Sequence, residues 1–205
     1  IVVFCSDHGD FMGEHGMTCK GGVFYDCLTR VPLIFSWPSR IPCDTRQDSM
    51  VNLIDVVPTL LELQGFEKPR RMQGDLLPVV TNSNEKKYTF SEYGCGGQAF
   101  SRSDLKKLSK PWGRQALMKS LQWREAEGRR KMIRTKDWKF VHDPMGDKDE
   151  LYNLKDDPWE LHNVIDCSEH TSIRSELSVR LGDWSIETEG DVPAPLPEPE
   201  KYLLS

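Results

Sequence analysis

The run Ile1-Val2-Val3-Phe4-Cys5 is short, apolar and β-branched, and it opens directly onto Ser6-Asp7-His8-Gly9-Asp10. A strand ending this way sets a carboxylate and an imidazole side by side, at the end of an open α/β sheet where ligands bind. Such a pair suits a hard or borderline divalent cation, with Asp7 offering oxygen and His8 a ring nitrogen. Two ligands do not complete a site, and a strand-end Asp-His pair serves as readily to hydrogen-bond its own loop. Lys20 lies 13 residues beyond Asp7, after glycines that let the chain fold back toward the strand end. Its ammonium there can bind a tetrahedral oxyanion, although a lone loop lysine is usually plain surface.

The surrounding elements must position these groups. Ile1 to Cys5 reads as a buried strand. A helix is expected from about Val23 to Arg30, and Val31-Pro32-Leu33-Ile34-Phe35 reads as a second buried strand with Pro32 tolerated near its start. Asp55 is the expected N-cap of a helix over Val56 to Gln64, with Pro58 in its first turn and Gly65 at its stop. Strand, helix, strand, helix is the order of an α/β domain with a parallel or mixed sheet. Tyr88 to Tyr93 and Met132 to His142 alternate as strands, Glu150 to Leu154 reads as a partner strand, and Asp156-Asp157-Pro158 as a turn. Ile173, Leu177, Leu181 and Trp184 recur at helical spacing and predict a closing amphipathic helix. The chain thus divides into an α/β part, residues 1–80, and a smaller α+β part with antiparallel strands, residues 81–205. The second part carries a basic stretch at about 101–130, read as a solvated helical insertion or a contact for an anionic substrate. An extended proline-rich tail follows from about 190.

Bulk composition narrows the function classes. Twenty-seven basic against 32 acidic residues give a net charge of −5, which argues against general affinity for nucleic acid or anionic membrane and for a small-molecule partner. The six cysteines, Cys5, Cys19, Cys27, Cys43, Cys95 and Cys167, show no C-x-x-C spacing, so neither a zinc ribbon nor a dense disulfide scaffold is indicated. No apolar run has transmembrane length, and no signal or transit peptide is present. The sequence starts mid-strand without an initiator Met, so a preceding N-terminal part of the protein is expected.

Several patterns then recur in order. Ser6-Asp7-His8-Gly9-Asp10 continues through Gly13-Glu14-His15-Gly16 to Lys20-Gly21-Gly22 and Arg30-Val31-Pro32-Leu33-Ile34-Phe35. Asp55-Val56-Val57-Pro58-Thr59-Leu60-Leu61 and Phe90-Ser91-Glu92-Tyr93 follow, then Ile133-Arg134-Thr135 with Trp138-Lys139-Phe140, then Glu150-Leu151-Tyr152-Asn153-Leu154 with Asp157-Pro158, Glu160 and Asn163. As a set these closely resemble the C-terminal portion of type I, formylglycine-dependent sulfatases and phosphonate monoester hydrolases of the alkaline-phosphatase superfamily. Only the basic stretch and the tail lie outside the likeness.

The resemblance implies a partial alkaline-phosphatase-like mixed sheet flanked by helices, with Asp7 and His8 as metal ligands and Lys20 as a contact to the sulfate ester. His15, in the G-E-H-G turn, is expected to be structural or to support the ligands. His142, His162 and His170 match no functional position. Calcium is the expected metal, with manganese or magnesium open because His8 adds nitrogen. The family nucleophile, a formylglycine made from cysteine in a C-x-P-x-R context, has no counterpart here, and Ser36-Trp37-Pro38-Ser39-Arg40 is read as a chance match inside a strand-loop continuation. The catalytic residue is therefore expected in the N-terminal part, and the intact protein is expected to be a sulfuric ester hydrolase acting on a small-molecule or carbohydrate sulfate ester. A phosphonate or phosphate ester hydrolase is one alternative, and a non-catalytic sulfatase-like binding or assembly module is another. Oligomeric state and compartment stay open: unpaired cysteines favour a reducing interior, whereas a periplasmic, secreted or lysosomal-type setting fits many relatives.

Overall fold

The computed structural model describes residues 1–38, 40–79, 86–94, 130–144 and 148–189. Strand β1 (Val2–Cys5) is followed by a small hairpin of β2 (Phe11–Met12) and β3 (Thr18–Cys19), the single-turn helix α1 (Asp26–Thr29), β4 (Leu33–Ser36) and α2 (Val56–Leu63). Four strands come next, β5 (Thr89–Tyr93), β6 (Arg130–Arg134), β7 (Trp138–His142) and β8 (Glu150–Asn153), and α3 (Thr171–Thr188) closes the described chain. The basic stretch over 101–129 and the tail from 190 lie outside the described residues.

Strands β5 to β8 form one antiparallel sheet in sequence order, so alternate residues divide between two faces. One face presents Ile133, Phe140 and Leu151, which pack with Ile165 and with Leu177 and Leu181 of α3 into the main apolar core. The predicted helical stripe meets this face: Leu177 is fully buried, and Trp184 stacks on Phe90 with ring centroids 4.7 Å apart. Burying one such leucine contributes about 1.5–3 kcal/mol.

The opposite face is polar. The register aligns Arg134 with Lys139 and Lys139 with Tyr152, while Met132 and Val141 form a small apolar patch under Phe24. Lys139 has no exposed surface. Its Nζ lies 2.6 Å from Asp26 Oδ1 and 2.5 Å from Glu160 Oε1, and it donates a third bond to the carbonyl of Phe24 at 2.7 Å. Arg134 forks onto the same Asp26, with Nε 3.1 Å from Oδ1 and Nη2 2.9 Å from Oδ2. Glu160, held in the left-handed region at φ 57°, accepts the Asp26 backbone N–H at 2.6 Å. An ammonium can be buried only when its donors are met in this way.

The structure corrects several expectations. The two strands read as buried, Ile1–Cys5 and Val31–Phe35, pair antiparallel as a two-stranded ribbon, and Val2, Phe4 and Ile34 are 67%, 60% and 57% exposed. A ribbon cannot cover its own faces: among the described residues the face of Val2, Phe4 and Ile34 is left open, while Val3, Leu33 and Phe35 on the other face are half-buried. The helix expected over Val23 to Arg30 shrinks to one turn. Continuing it backward would pair the Asp26 N–H with the Gly22 carbonyl, but Glu160 takes the first group and Arg130 the second. Met132 to His142 is two strands, turned at Lys136-Asp137, where Thr135 accepts the Trp138 N–H on its hydroxyl at 2.9 Å. Asp55 stands at the N-cap position of α2, as expected, but its side chain makes no cap bond to that helix: it is the acidic member of a capping box on the preceding turn, Leu53–Asp55, and accepts the Asn52 N–H at 3.0 Å. Arg130, read with the solvated basic stretch, is buried.

Burial pushes the Asp26 carboxyl up, but hydrogen bonds and charge from Arg134 and Lys139 outweigh it and leave the group below its ordinary 3.8. A depressed folded value means that its stabilisation is complete above the unfolded value of 3.8 and is lost as pH falls through the lower folded value. Asp26→Asn is therefore expected to unfold at lower temperature than the parent at neutral pH, with the gap closing at strongly acid pH, as thermal melts across the acid range would record.

Candidate functional site

The strand-end loop is fixed first by its own backbone. His8 donates its N–H to Asp7 Oδ1 at 3.0 Å, and Ser6 donates its hydroxyl to the His8 carbonyl at 2.7 Å. Gly9 then donates to the Leu28 carbonyl at 2.8 Å, docking the loop on α1. This approach is so close that a Cβ on Gly9 would stand 1.9 Å from the carbonyl oxygen of Cys27.

The β2–β3 hairpin brings Lys20 back to the same place. Phe11 pairs with Cys19 and Met12 with Thr18, so the residue after β3 returns beside the residues before β2. Between these strands Glu14 accepts the Met12 N–H at 2.6 Å, and His15 takes a left-handed φ of 52°. The His15 ring stacks on Tyr25 at 3.8 Å and meets the edge of Phe11 at 6.2 Å. Its contacts are thus with the hairpin and the α1 segment.

The result is a convergence of three polar groups from two loops. Lys20 Nζ lies 2.6 Å from His8 Nε2, and Asp7 Oδ2 lies 3.6 Å from the same nitrogen. His8 Nδ1 is 2.8 Å from the Gly9 carbonyl, which assigns the ring proton to Nδ1 and leaves the Nε2 lone pair facing Lys20 and Asp7. The His8 ring, with the Asp7 and His8 backbone N–H groups, holds the Asp7 carboxyl below its usual range, and Lys20 adds to the effect. An ionised carboxylate oxygen beside an imidazole nitrogen, whose other nitrogen is tied to a carbonyl, is a fitting pair of metal donors. It is half a coordination sphere: among the described residues no cluster of three or more His, Cys, Asp or Glu could hold a metal.

These groups face an open cleft of about 2290 Å³ between the β1–β4 ribbon and the edge strand β5. Single-ligand pockets are about 300–1,000 Å³, so the cleft does not outline a substrate. The other histidines stand apart from these groups: His142 bonds Asp149 at 2.9 Å, His162 lies 3.6 Å from Asp157, and His170 meets the edge of Trp138.

Asp26, Arg134, Lys139 and Glu160, which hold α1 beneath the site, were not singled out from the sequence as site-supporting residues. Lys139 and Glu160 stand inside recurring patterns, and a lysine between Trp138 and Phe140 in an alternating strand is the one local sign of a polar inner face.

The chain has counterparts among known proteins in both sequence and fold. Residues 13–96 match the family model described as N-sulphoglucosamine sulphohydrolase, C-terminal. The uncharacterized sulfatase YidJ of Escherichia coli is 30% identical over 184 residues, 89% of this chain and 31% of its own length. The delta 4,5-hexuronate-2-O-sulfatase of Bacteroides thetaiotaomicron is 29% identical over 197 residues, 93% of this chain and 36% of its own. The phosphonate monoester hydrolase structure of Agrobacterium radiobacter superposes with a TM-score of 0.70 at 21% identity, over 95% of this chain and 39% of that one, a likeness of fold. Sequence and fold together place the chain with the C-terminal portion of sulfatases in the alkaline-phosphatase superfamily. It spans about a third of the length of these curated relatives.

Because Gly9 leaves no room for a side chain, Gly9→Ala is expected to lift the Asp7-His8 loop from α1 and to break the Gly9 to Leu28 hydrogen bond. A crystal structure of the variant would show whether His8 Nε2 has moved out of reach of Lys20, the expected outcome, or has stayed at the parent distance.

Proposed function

We propose that the intact protein carrying this chain is a sulfuric ester hydrolase acting on a sulfated carbohydrate. In this reading Asp7 and His8 supply two ligands of its divalent metal, and Lys20 binds the transferring sulfuryl group. The observation that carries the proposal is the meeting of Asp7, His8 and Lys20, from two loops, at one strand end. Similarity to sulfatases along most of the chain supports it, and the carbohydrate substrate class rests on the hexuronate sulfatase among those relatives.

The bound cation, calcium first and manganese or magnesium next, would supply Lewis-acid stabilisation of negative charge at the ester oxygens. The protein's own part is derived from the geometry. The Gly9 carbonyl fixes the His8 tautomer so that Nε2 stays a donor atom, and Ser6 and Gly9 hold the loop so that Asp7 and His8 need not reorganise on loading. With a cation held at Nε2, Lys20 would lose its acceptor there and its ammonium would be free for a sulfate oxygen. The nucleophile, expected as formylglycine, and the remaining ligands come from outside these residues, and the partner that completes the site is the rest of the same protein.

Lys20→Ala in the intact protein is expected to lower kcat/KM for sulfate release about 100-fold, the usual scale for losing one oxyanion donor. His8→Ala is expected to lower metal content. Ion chromatography of sulfate released from a 2-O-sulfated disaccharide, with elemental analysis of the protein, reads both effects. Cleavage of phosphonate monoesters without sulfate release would instead identify the phosphonate branch, and turnover of neither by metal-loaded protein would favour a binding module.

A further inference from the structure

The segment Lys20-Gly21-Gly22 carries no side chain beyond the lysine itself, so contacts from outside the segment decide where Lys20 stands. Besides the contact of the Lys20 ammonium with His8 Nε2, two contacts from outside the segment, among the described residues, fall on Gly22. The Tyr93 ring closes off the side-chain space of Gly22, where a Cβ would come within 2.8 Å of Tyr93 Cε1. The Gly22 carbonyl accepts a hydrogen bond from Nη1 of Arg130. Arg130 is itself buried, with its side chain 6% exposed, and its Nε lies 2.8 Å from Oδ2 of Asp143, whose side chain is 7% exposed. Register explains the pairing: Tyr93 and Arg130 are directly opposite on β5 and β6, on the polar face that carries Lys139.

We infer that Arg130, oriented by Asp143, is a positioning residue for Lys20: it clamps the Gly22 carbonyl and so sets the ammonium at the sulfate-binding position. The inference rests on the reading of Lys20 as a sulfate contact. An arginine is suited to this task because its rigid guanidinium pairs with the Asp143 carboxylate while Nη1 reaches the Gly22 carbonyl, a relation that a lysine ammonium on a flexible stem does not reproduce with the same geometry. With the clamp gone, the two glycines have many backbone conformations open to them, and Lys20 samples positions in which it gives nothing to the bound ester.

A double-mutant cycle in the intact protein separates positioning from mere support of the fold. Lys20→Ala is introduced into the parent, into Arg130→Lys, which keeps the buried cation, and into Arg130→Met/Asp143→Asn, which leaves no buried charge unpaired. Rates of sulfate release from 4-nitrophenyl sulfate and from a 2-O-sulfated disaccharide are compared. The expected result is that removing Lys20 costs about 100-fold in the parent but less than about threefold in either Arg130 background, because Lys20 is already misplaced there. An equal loss in all backgrounds overturns the inference and leaves the role of Lys20 intact. No loss in the parent removes the role of Lys20 itself, and the inference with it. Crystals of the metal-free protein give a readout independent of turnover: in Arg130→Lys, Lys20 Nζ, which lies 2.6 Å from His8 Nε2 in the parent, is expected beyond hydrogen-bonding reach of it, and an unchanged contact contradicts the clamp.

Discussion

A lysine with no access to water organises this chain. Lys139 projects from the middle of an antiparallel sheet and is satisfied by Asp26, Glu160 and the Phe24 carbonyl. Burying its charge is tolerable only because all three acceptors arrive together, and removing a partner from such a pair typically costs about 3–5 kcal/mol. The net gain over an apolar packing is small, so the value of the arrangement lies in specificity. The placement of the 22–28 segment that brings Asp26 to Lys139 and Arg134 also presents the Leu28 carbonyl to Gly9. The positions of His8 and Lys20 follow from it, His8 through α1 and Lys20 through Gly22.

The sheet thereby does two different jobs on its two faces. Toward α3 it is an ordinary apolar core of Ile133, Phe140, Leu151, Leu177 and Leu181, which tolerates exchange of one hydrocarbon for another of similar volume. Toward the site it is a set of charge pairs, Lys139 and Arg134 with Asp26, and Arg130 with Asp143. Ion pairs fix direction and distance where hydrocarbon packing fixes only contact. A face built from them is suited to holding two loops in a set relation across a span of more than a hundred residues of sequence.

Much of this was legible in residue order. The strand-end Asp7-His8, the returning Lys20 and the periodic stripe of α3 are local signals, and each is recovered as a local feature of the structure. The glycines before Lys20 signalled that the chain folds back, and the β2–β3 hairpin is that reversal. What escaped was decided by residues distant in sequence. The single turn of α1 is short because Arg130 and Glu160 take the groups that would extend it. The exposure of Phe4 and Ile34 depends on what lies over them, which the apolar character of a strand does not reveal. Lys139 and Arg130 looked like surface cations because burial of a charge is visible only once its partner is in place.

The dependence of the site on the buried lysine can be read amide by amide through hydrogen exchange of the intact protein. In Lys139→Met, the Gly9 amide, which bonds the Leu28 carbonyl, is expected to lose protection well before the amides of the β7–β8 ladder do. Gly9 keeping its parent protection relative to that ladder would contradict the account, because the strand-end loop would then be held by something other than the charged face beneath it.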